Sequence, residues 1–371
     1  MPTYPTYKLG DVAEIINGKN QKEVVSPQGD YPIYGSGGII GWATDYLCKE
    51  NSTIIGRKGT INSPIFVSRK FWNVDTAFGI QPSDKVLPRY LFFFCKSFDF
   101  KKLDKSTTIP SLAKRDLLQI PIPLPPLPTQ HLIVSRIEAL FTELDKAAEH
   151  LRTAQQQLKT YRQAVLNHWL NNDDGKWEMV KLGEVAEMCL GKMLDKNKNK
   201  GTYQPYLRNV NVRWGGFDLD DLLEMKFEES EQDRYGIRKG DLIMCEGGEP
   251  GRCAIWNSDI PNMKIQKALH RIRLNDNVLN KYVYFLFVLY AQNGVLGKYF
   301  TGTTIKHLTG QSLKSVEIPL PPLTEQQRIV DEIESRLSQA TATETYIENA
   351  LQQAETLRQS ILKKAFSGEL V

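Results

Sequence analysis

The side chains of this chain that could do chemistry sit in glycine-rich loops, and their types suit binding better than bond making. Tyr34-Gly35-Ser36-Gly37-Gly38 and Gly56-Arg57-Lys58-Gly59-Thr60 lie in the first third. Arg208-Asn209-Val210-Asn211-Val212-Arg213-Trp214 and Glu246-Gly247-Gly248-Glu249-Pro250-Gly251-Arg252 lie in the second half. Arg, Lys, Asn and Gln can pair with base edges, and glycine lets a backbone approach phosphate closely. Thr107-Thr108 and Thr303-Thr304-Ile305-Lys306-His307 add donors of the kind that meet phosphate. The candidate DNA-binding residues are therefore Ser36, Arg57, Lys58, Thr107, Thr108, Arg208, Asn209, Asn211, Arg213, Glu246, Arg252, Thr303, Thr304 and Lys306. For any one of them a turn glycine or a solvated charge is the plain alternative; it is the set that points to nucleic acid.

No catalytic constellation accompanies these loops. None of the four Gly-Lys pairs completes a GxxxxGK[ST] phosphate loop, and GxGxxG and HExxH are missing. Both Pro-Pro pairs are flanked by leucine, so the Asn-Pro-Pro-aromatic run of an adenine methyltransferase is not there either. Glu224-Met225-Lys226 matches only a fragment of a nuclease motif. Five cysteines, odd in number and without a CxxC pair, predict reduced thiols and no zinc or disulfide framework. No catalytic or metal-binding residue is expected.

The loops need a scaffold, and the chain describes it twice. Ile122-Pro123-Leu124-Pro125-Pro126-Leu127 recurs as Ile318-Pro319-Leu320-Pro321-Pro322-Leu323, 196 residues on. That offset holds from Thr107-Thr108-Ile109 and Thr303-Thr304-Ile305 through Gln130/Gln326, Ile137/Ile333, Arg162/Arg358 and Leu166/Leu362. The starts match at a smaller offset, Lys8-Leu9-Gly10 with Lys181-Leu182-Gly183 and Gly18-Lys19 with Gly191-Lys192. Constant ends and a diverged middle suit two readers on one scaffold. At this period each copy is a domain plus a long element.

The long element is a helix. After Pro128 apolar residues fall at Ile133, Ile137, Leu140, Leu144, Ala147, Leu151, Ala154, Leu158, Tyr161 and Val165. The alternation of four and three is a coiled-coil seam. The polar run Asn171 to Gly175 should end it. A second helix from about Glu325 to Phe366 should open with a capping box at Thr324-Glu325-Gln326-Gln327. Its seam is interrupted at Thr343 and Glu344. Leu-Pro-Pro-Leu reads as a stiff extended joint that continues neither strand nor helix. Chain order makes the two helices antiparallel, with an approximate two-fold relation between the copies.

Ahead of each helix the pattern is α+β. Ser52–Gly56, Ile65–Val67 and Ala77–Ile80 read as strands and Arg89–Lys96 as a helix; 241–244, 253–256 and 280–289 echo them. Each copy should be an α/β domain with a curved, mixed sheet. Net charge is +4, and by segment it is +5 over 1–123, zero over 124–176, +2 over 177–319 and −3 over 320–371. Positive charge thus sits in the domains and not in the helices, which suits domains that meet phosphate. With no basic start before an apolar run, and Tyr282–Tyr290 far short of ~20 residues, a cytoplasmic protein is expected.

Together these motifs resemble the specificity (S) subunit of Type I restriction–modification systems. The resemblance runs along the whole chain. It rests on the proline joint followed by Thr324-Glu325-Gln326-Gln327-Arg328-Ile329-Val330, on Gly56-Arg57-Lys58-Gly59, Asp75-Thr76-Ala77 and Tyr206-Leu207-Arg208-Asn209. Cys245 through Arg252 and Gly302 through Leu308 complete it. The first copy departs at Pro128-Thr129-Gln130-His131. The resemblance implies target-recognition domains at 1–123 and 176–319, and spacer helices with their joints at 124–175 and 320–371. Each domain would bind half of a bipartite site in double-stranded DNA, and the helical pair would fix the unread spacer. The chain itself would be non-catalytic and bind no cofactor. Two modification subunits carrying S-adenosylmethionine would dock on the polar helix faces and the joints and methylate adenine; restriction subunits could join them. The alternatives are a coiled-coil structural adaptor without DNA binding and, against the missing motifs, a self-contained nuclease or methyltransferase.

Overall fold

The computed structural model describes residues 4–172, 174–195 and 197–371. The chain forms two compact units: Met1–Thr153 with Ile347–Val371, and Ala154–Tyr346. Each unit therefore holds one domain and a part of both long helices.

In the first unit, Ala13–Asn17, Ala77–Pro82, Ser52–Gly56 and Ile65–Val67 form an antiparallel sheet in that order. Beside it Gly38–Ala43, Tyr31–Gly35 and Trp72–Asn73 form a three-stranded sheet, its last pair parallel. The second unit repeats both patterns. Ala186–Leu190, Leu269–Leu274, Leu242–Cys245 and Cys253–Ile255 match the first sheet. Leu223–Phe227, Thr202–Leu207 and Lys264–Ile265 match the second, again with one parallel pair. Mixed pairing is thus confined to the three-stranded sheets. The apolar runs predicted as strands are strands because both faces are covered: all five residues of Ser52–Gly56 are buried. The cover is a helix, Pro88–Ser97 in one unit and Asn280–Gln292 in the other.

The diverged middle still keeps its fixed points. A Cβ on Gly18 would lie 1.7 Å from the Val74 carbonyl oxygen, and one on Gly191 2.3 Å from the Gln266 carbonyl. Only glycine permits that backbone contact, which explains why both copies retain it.

The proline joint differs from the sequence expectation in its first half. Pro121–Pro123 is a strand, antiparallel to Thr6–Lys8, and Glu317–Pro319 pairs likewise with Met179–Lys181. Proline is tolerated because these are two-stranded edges. The helices start at the last residue of the joint, as Leu127–Leu170 and Leu323–Ser367. Thr324 consequently lies inside its helix and opens no capping box; the Pro322 carbonyl accepts from Glu325 and Gln326. Of the polar stop, Asp173 lies outside the described residues, and the first helix ends at Leu170.

What locks the joint is a glutamine. Gln130 is fully buried; its Oε1 accepts from Leu87 N–H (2.8 Å) and its Nε2 donates to the Lys85 and Pro125 carbonyls (3.0 and 2.9 Å). Gln326 does the same with Leu279 N–H (2.8 Å) and the Asn277 and Pro321 carbonyls (3.0 and 2.9 Å). Tyr90 and Tyr282 donate to the Pro123 and Pro319 carbonyls at 2.7 and 2.9 Å. One amide thus ties the long helix to the cap of the domain helix and to the joint.

The helices are antiparallel within each unit. In the first unit Ile133 and Ile137 share a core with Ile361, Leu362, Ala365 and Phe366. The Phe366 ring lies 5.1 Å from that of Tyr90. In the second, Val165, Leu166 and Leu170 pack with Ile329, Val330 and Ile333. The seam departs from strict heptads. Ala147, Tyr161 and Leu357 face solvent, while Ala148 is buried and Arg162 and Arg358 half-buried. A straight helix drifts from a seven-residue repeat, and one extra step of four from Leu144 to Ala148 resets the stripe. Glu344, predicted as a gap, lies in the seam and accepts from Arg162 at 2.9 Å. Arg358, the repeat equivalent of Arg162, pairs with Asp145. No helix among the described residues is long and apolar enough to cross a membrane.

Replacing Gln130 by leucine should strand a buried N–H and two carbonyls, at ~1–3 kcal/mol for each group left unpaired. Denaturant unfolding should show a loss of at least about 2 kcal/mol, and hydrogen exchange at Leu87 should accelerate. Unchanged stability and protection would show that the amide does not lock the joint.

Candidate nucleic-acid interface

The predicted residues fall into three loops per unit, and in each unit the loops meet. In the second unit, Asn209 Nδ2 donates to the Gly247 carbonyl (2.9 Å) and Arg252 to the Asn209 carbonyl (3.0 Å). Leu308 N–H donates to the Glu246 carbonyl (2.8 Å). A Cβ on Gly247 would lie 3.1 Å from His307. The glycine loop 246–252 is therefore central, flanked by 208–222 and by 301–308. In the first unit, Gly59 N–H donates to the Pro110 carbonyl (2.9 Å) and Leu112 N–H to that of Arg57 (2.8 Å). A Cβ on Gly56 would meet Ser36 at 3.1 Å. The loop 56–60 is central there, flanked by Ser36-Gly37 and by 104–112.

The individual side chains divide by what they touch. Arg208 binds the Asp221 carboxylate (2.7 Å) and carbonyl (2.8 Å). Arg213 binds Asp218 (3.2 Å) and the Val210 carbonyl (2.6 Å). Arg252 binds Glu249 (2.8 Å), which also accepts from the Trp214 indole (2.7 Å). Such surface pairs contribute little stability, ~0–1 kcal/mol, but they orient the guanidinium groups. Thr107, Thr108, Thr303, Thr304, Lys58 and Lys306 are exposed, and their side chains make no hydrogen bond or ion pair among the described residues. Glu246 is half-buried with its backbone fixed on both sides, to Ala268 and Leu308.

Asn211 differs from the sequence expectation. It is 2 % exposed; its Oδ1 accepts from Arg208 N–H (2.9 Å) and its Nδ2 donates to the Asp218 and Asp221 carbonyls (3.0 and 3.3 Å). With the amide satisfied internally, it shapes the arginine loop and does not present a donor. Spacing cannot separate it from Asn209, two residues away.

Three cations were not singled out from sequence. Lys105, Lys114 and Arg115 line an open cleft of about 900 Å³ together with Arg57, whose guanidinium lies 3.3 Å from the Asp75 carbonyl. Asp116 pairs with Lys105 (3.0 Å) and Arg115 (3.5 Å), so the cleft keeps a positive excess that suits phosphate. The available signal was the Lys114-Arg115 pair, seven residues past Thr107.

Burial pushes the Cys48 and Cys95 thiols up to about 12. Among the described residues no cluster of His, Cys, Asp and Glu could hold an ion. His270 is buried beneath the 301–308 loop, Nε2 2.9 Å from the Leu308 carbonyl, and burial holds its pKa below the ordinary value. Above about 6.5 the ring is neutral in folded and unfolded chains alike; below it the unfolded chain takes up a proton that the folded one resists. Stability should therefore fall as pH drops from 7 towards 5.5, and His270→Gln should flatten that slope. An identical slope in the variant would remove His270 as its source.

Comparison with known proteins bears on this arrangement. The family model for the Type I restriction modification DNA specificity domain matches residues 1–151 and 174–353. The EcoKI specificity subunit of Escherichia coli K12 is 27% identical over 312 residues, spanning 78% of this chain and 67% of that protein. A chain from a structural study of assembly and conformational transition in the type I R-M system aligns over 100% of this chain and 99% of its own, with TM-score 0.76 and 19% identity. The HsdS subunit from Thermoanaerobacter tengcongensis aligns over 100% and 98%, with TM-score 0.67 and 20% identity. At those identities the two structures speak for the fold. The family model covers most of the chain in two stretches, each carrying one three-loop cluster on one scaffold, and on that basis this chain belongs to the Type I restriction modification DNA specificity family.

Proposed function

We propose that each unit reads one half of a bipartite site in double-stranded DNA and that the paired helices set the unread spacer. The observation that carries this is the duplicated cluster: two units, built on the same pair of sheets, present three converging loops with exposed hydroxyl and cationic side chains. The chain supplies specificity, and the chemistry belongs to its partners in the cytoplasm. Two modification subunits dock on the polar helix faces and the joints, hold S-adenosylmethionine and methylate adenine; restriction subunits join the same assembly. No observation favours the adaptor without DNA binding.

Exchanging residues 177–319 for those of a relative should change one half of the methylated sequence and leave the other. Methylome sequencing reads both halves at once, and an unchanged site would overturn the proposal. Inserting one heptad into each long helix adds about 10 Å at 1.5 Å per residue. At about 3.4 Å per base step the spacer should lengthen by roughly three base pairs. A spacer that stays fixed would exclude the helices as its ruler.

A further inference from the structure

The two units share the strand order of both sheets, and comparing the connections separates what they share from what they do not. In the first unit, Tyr31–Gly35 passes to Gly38–Ala43 through two residues, Ser36-Gly37. In the second, the equivalent strands Thr202–Leu207 and Leu223–Phe227 are joined by fifteen residues, 208–222, with a 3₁₀ turn at Asn209–Asn211 and a small hairpin of Val212–Arg213 with Gly216–Phe217. More than half of the extra length of the second copy enters at this one connection. The flanking loops behave oppositely: Thr107-Thr108-Ile109 and Thr303-Thr304-Ile305 are identical, and all six residues are exposed.

We propose a division of labour that rests on the reading of the units as DNA readers: the connection between these two strands reads bases, and the Thr-Thr-Ile loops grip the backbone. The sugar–phosphate chain is the same in every sequence, so a contact kept identical in both units carries no sequence information. Two different half-sites must be told apart by side chains that differ. The connection differs most, and it lies against the glycine loop in both units, Ser36 on Gly56 and Asn209 on Gly247.

Its side chains also specify what is read. Just past the first unit's Ser36-Gly37 tip, Ile39 and Ile40 are each 56% exposed on the strand. Apolar side chains in the major groove select the thymine methyl. The second unit instead holds Arg213 half-exposed and aimed by Asp218, the arrangement for donation to guanine O6 and N7. The first half-site therefore carries thymine under the hairpin tip, and the second carries guanine under the 208–222 loop.

The test uses the chain assembled with its modification subunits, with duplex libraries and methylation as the readout. Arg213→Ala should reduce discrimination for one guanine of the second half-site roughly ten- to hundredfold while the first half-site is read as before. Replacing thymine by deoxyuridine in the first half-site should weaken the parent assembly and leave an Ile39→Ser/Ile40→Ser variant indifferent. Thr303→Val/Thr304→Val should weaken all sequences alike without altering the preferred one. The division is overturned if the threonine variant changes the preferred sequence, if the connection variants weaken binding uniformly, or if the two half-sites prove identical. A parent assembly with no sequence preference would instead overturn the broader proposal, and this one with it.

Discussion

The structure depends on a single buried amide, used twice. Gln130 and Gln326 each join three backbone groups that belong to different elements: the cap of the domain helix, the loop before it, and the proline joint. A buried polar group without partners costs free energy, so these contacts hold only if helix, joint and domain keep one mutual geometry. A long helix that leaves a domain through flexible chain could not transmit a position. Here proline removes freedom from the joint and glutamine fixes its direction, so each domain and its part of the helical pair form one body.

The helical pair is held by different physics at its two kinds of contact. Near the domains, isoleucine, leucine and phenylalanine are buried to 8% exposure or less, with ~1.5–3 kcal/mol available from each large apolar side chain. Away from them the buried residues are fewer, Ala148, Ala340 and Ile347, and arginines cross between the helices. Arg162 reaches Glu344, and Arg358 reaches Asp145 while its guanidinium lies 4.9 Å from the centre of the Phe141 ring. Such directional contacts add little energy but specify register, which a sparsely buried seam leaves open.

In the Thr-Thr-Ile loop of the second unit, geometry follows from glycine. Gly302 has φ +87° with a Cβ position occupied by the Ile305 carbonyl, so the turn that exposes Thr303 and Thr304 exists only because no side chain is there. In the first unit Asp104 does an equivalent job: its carboxylate accepts from Ser106 and Ser111 and closes the loop around Thr107. Two different local solutions deliver the same exposed tripeptide.

Periodicity and repetition made the architecture legible in sequence. A seam of four and three, a proline hexapeptide stated twice, and β-rich runs bounded by glycine report forces that act locally, and the helices, most strands and the antiparallel pairing followed from them. The glutamine clamp was visible only as the pair Gln130/Gln326, because the N–H groups it accepts from lie 43 and 47 residues away. The exchange of Ala147 for Ala148 in the seam was set by helix drift over several turns, which no single heptad reveals. Asn211 and Asn209 are the same residue type in one loop, and only the fold around them made the first an internal strut and the second a tether to Gly247. Sequence alone therefore determined the elements and their duplication, since those depend on near neighbours; tertiary structure decided which polar groups are consumed inside the loops and which stay exposed, since burial depends on chain far away.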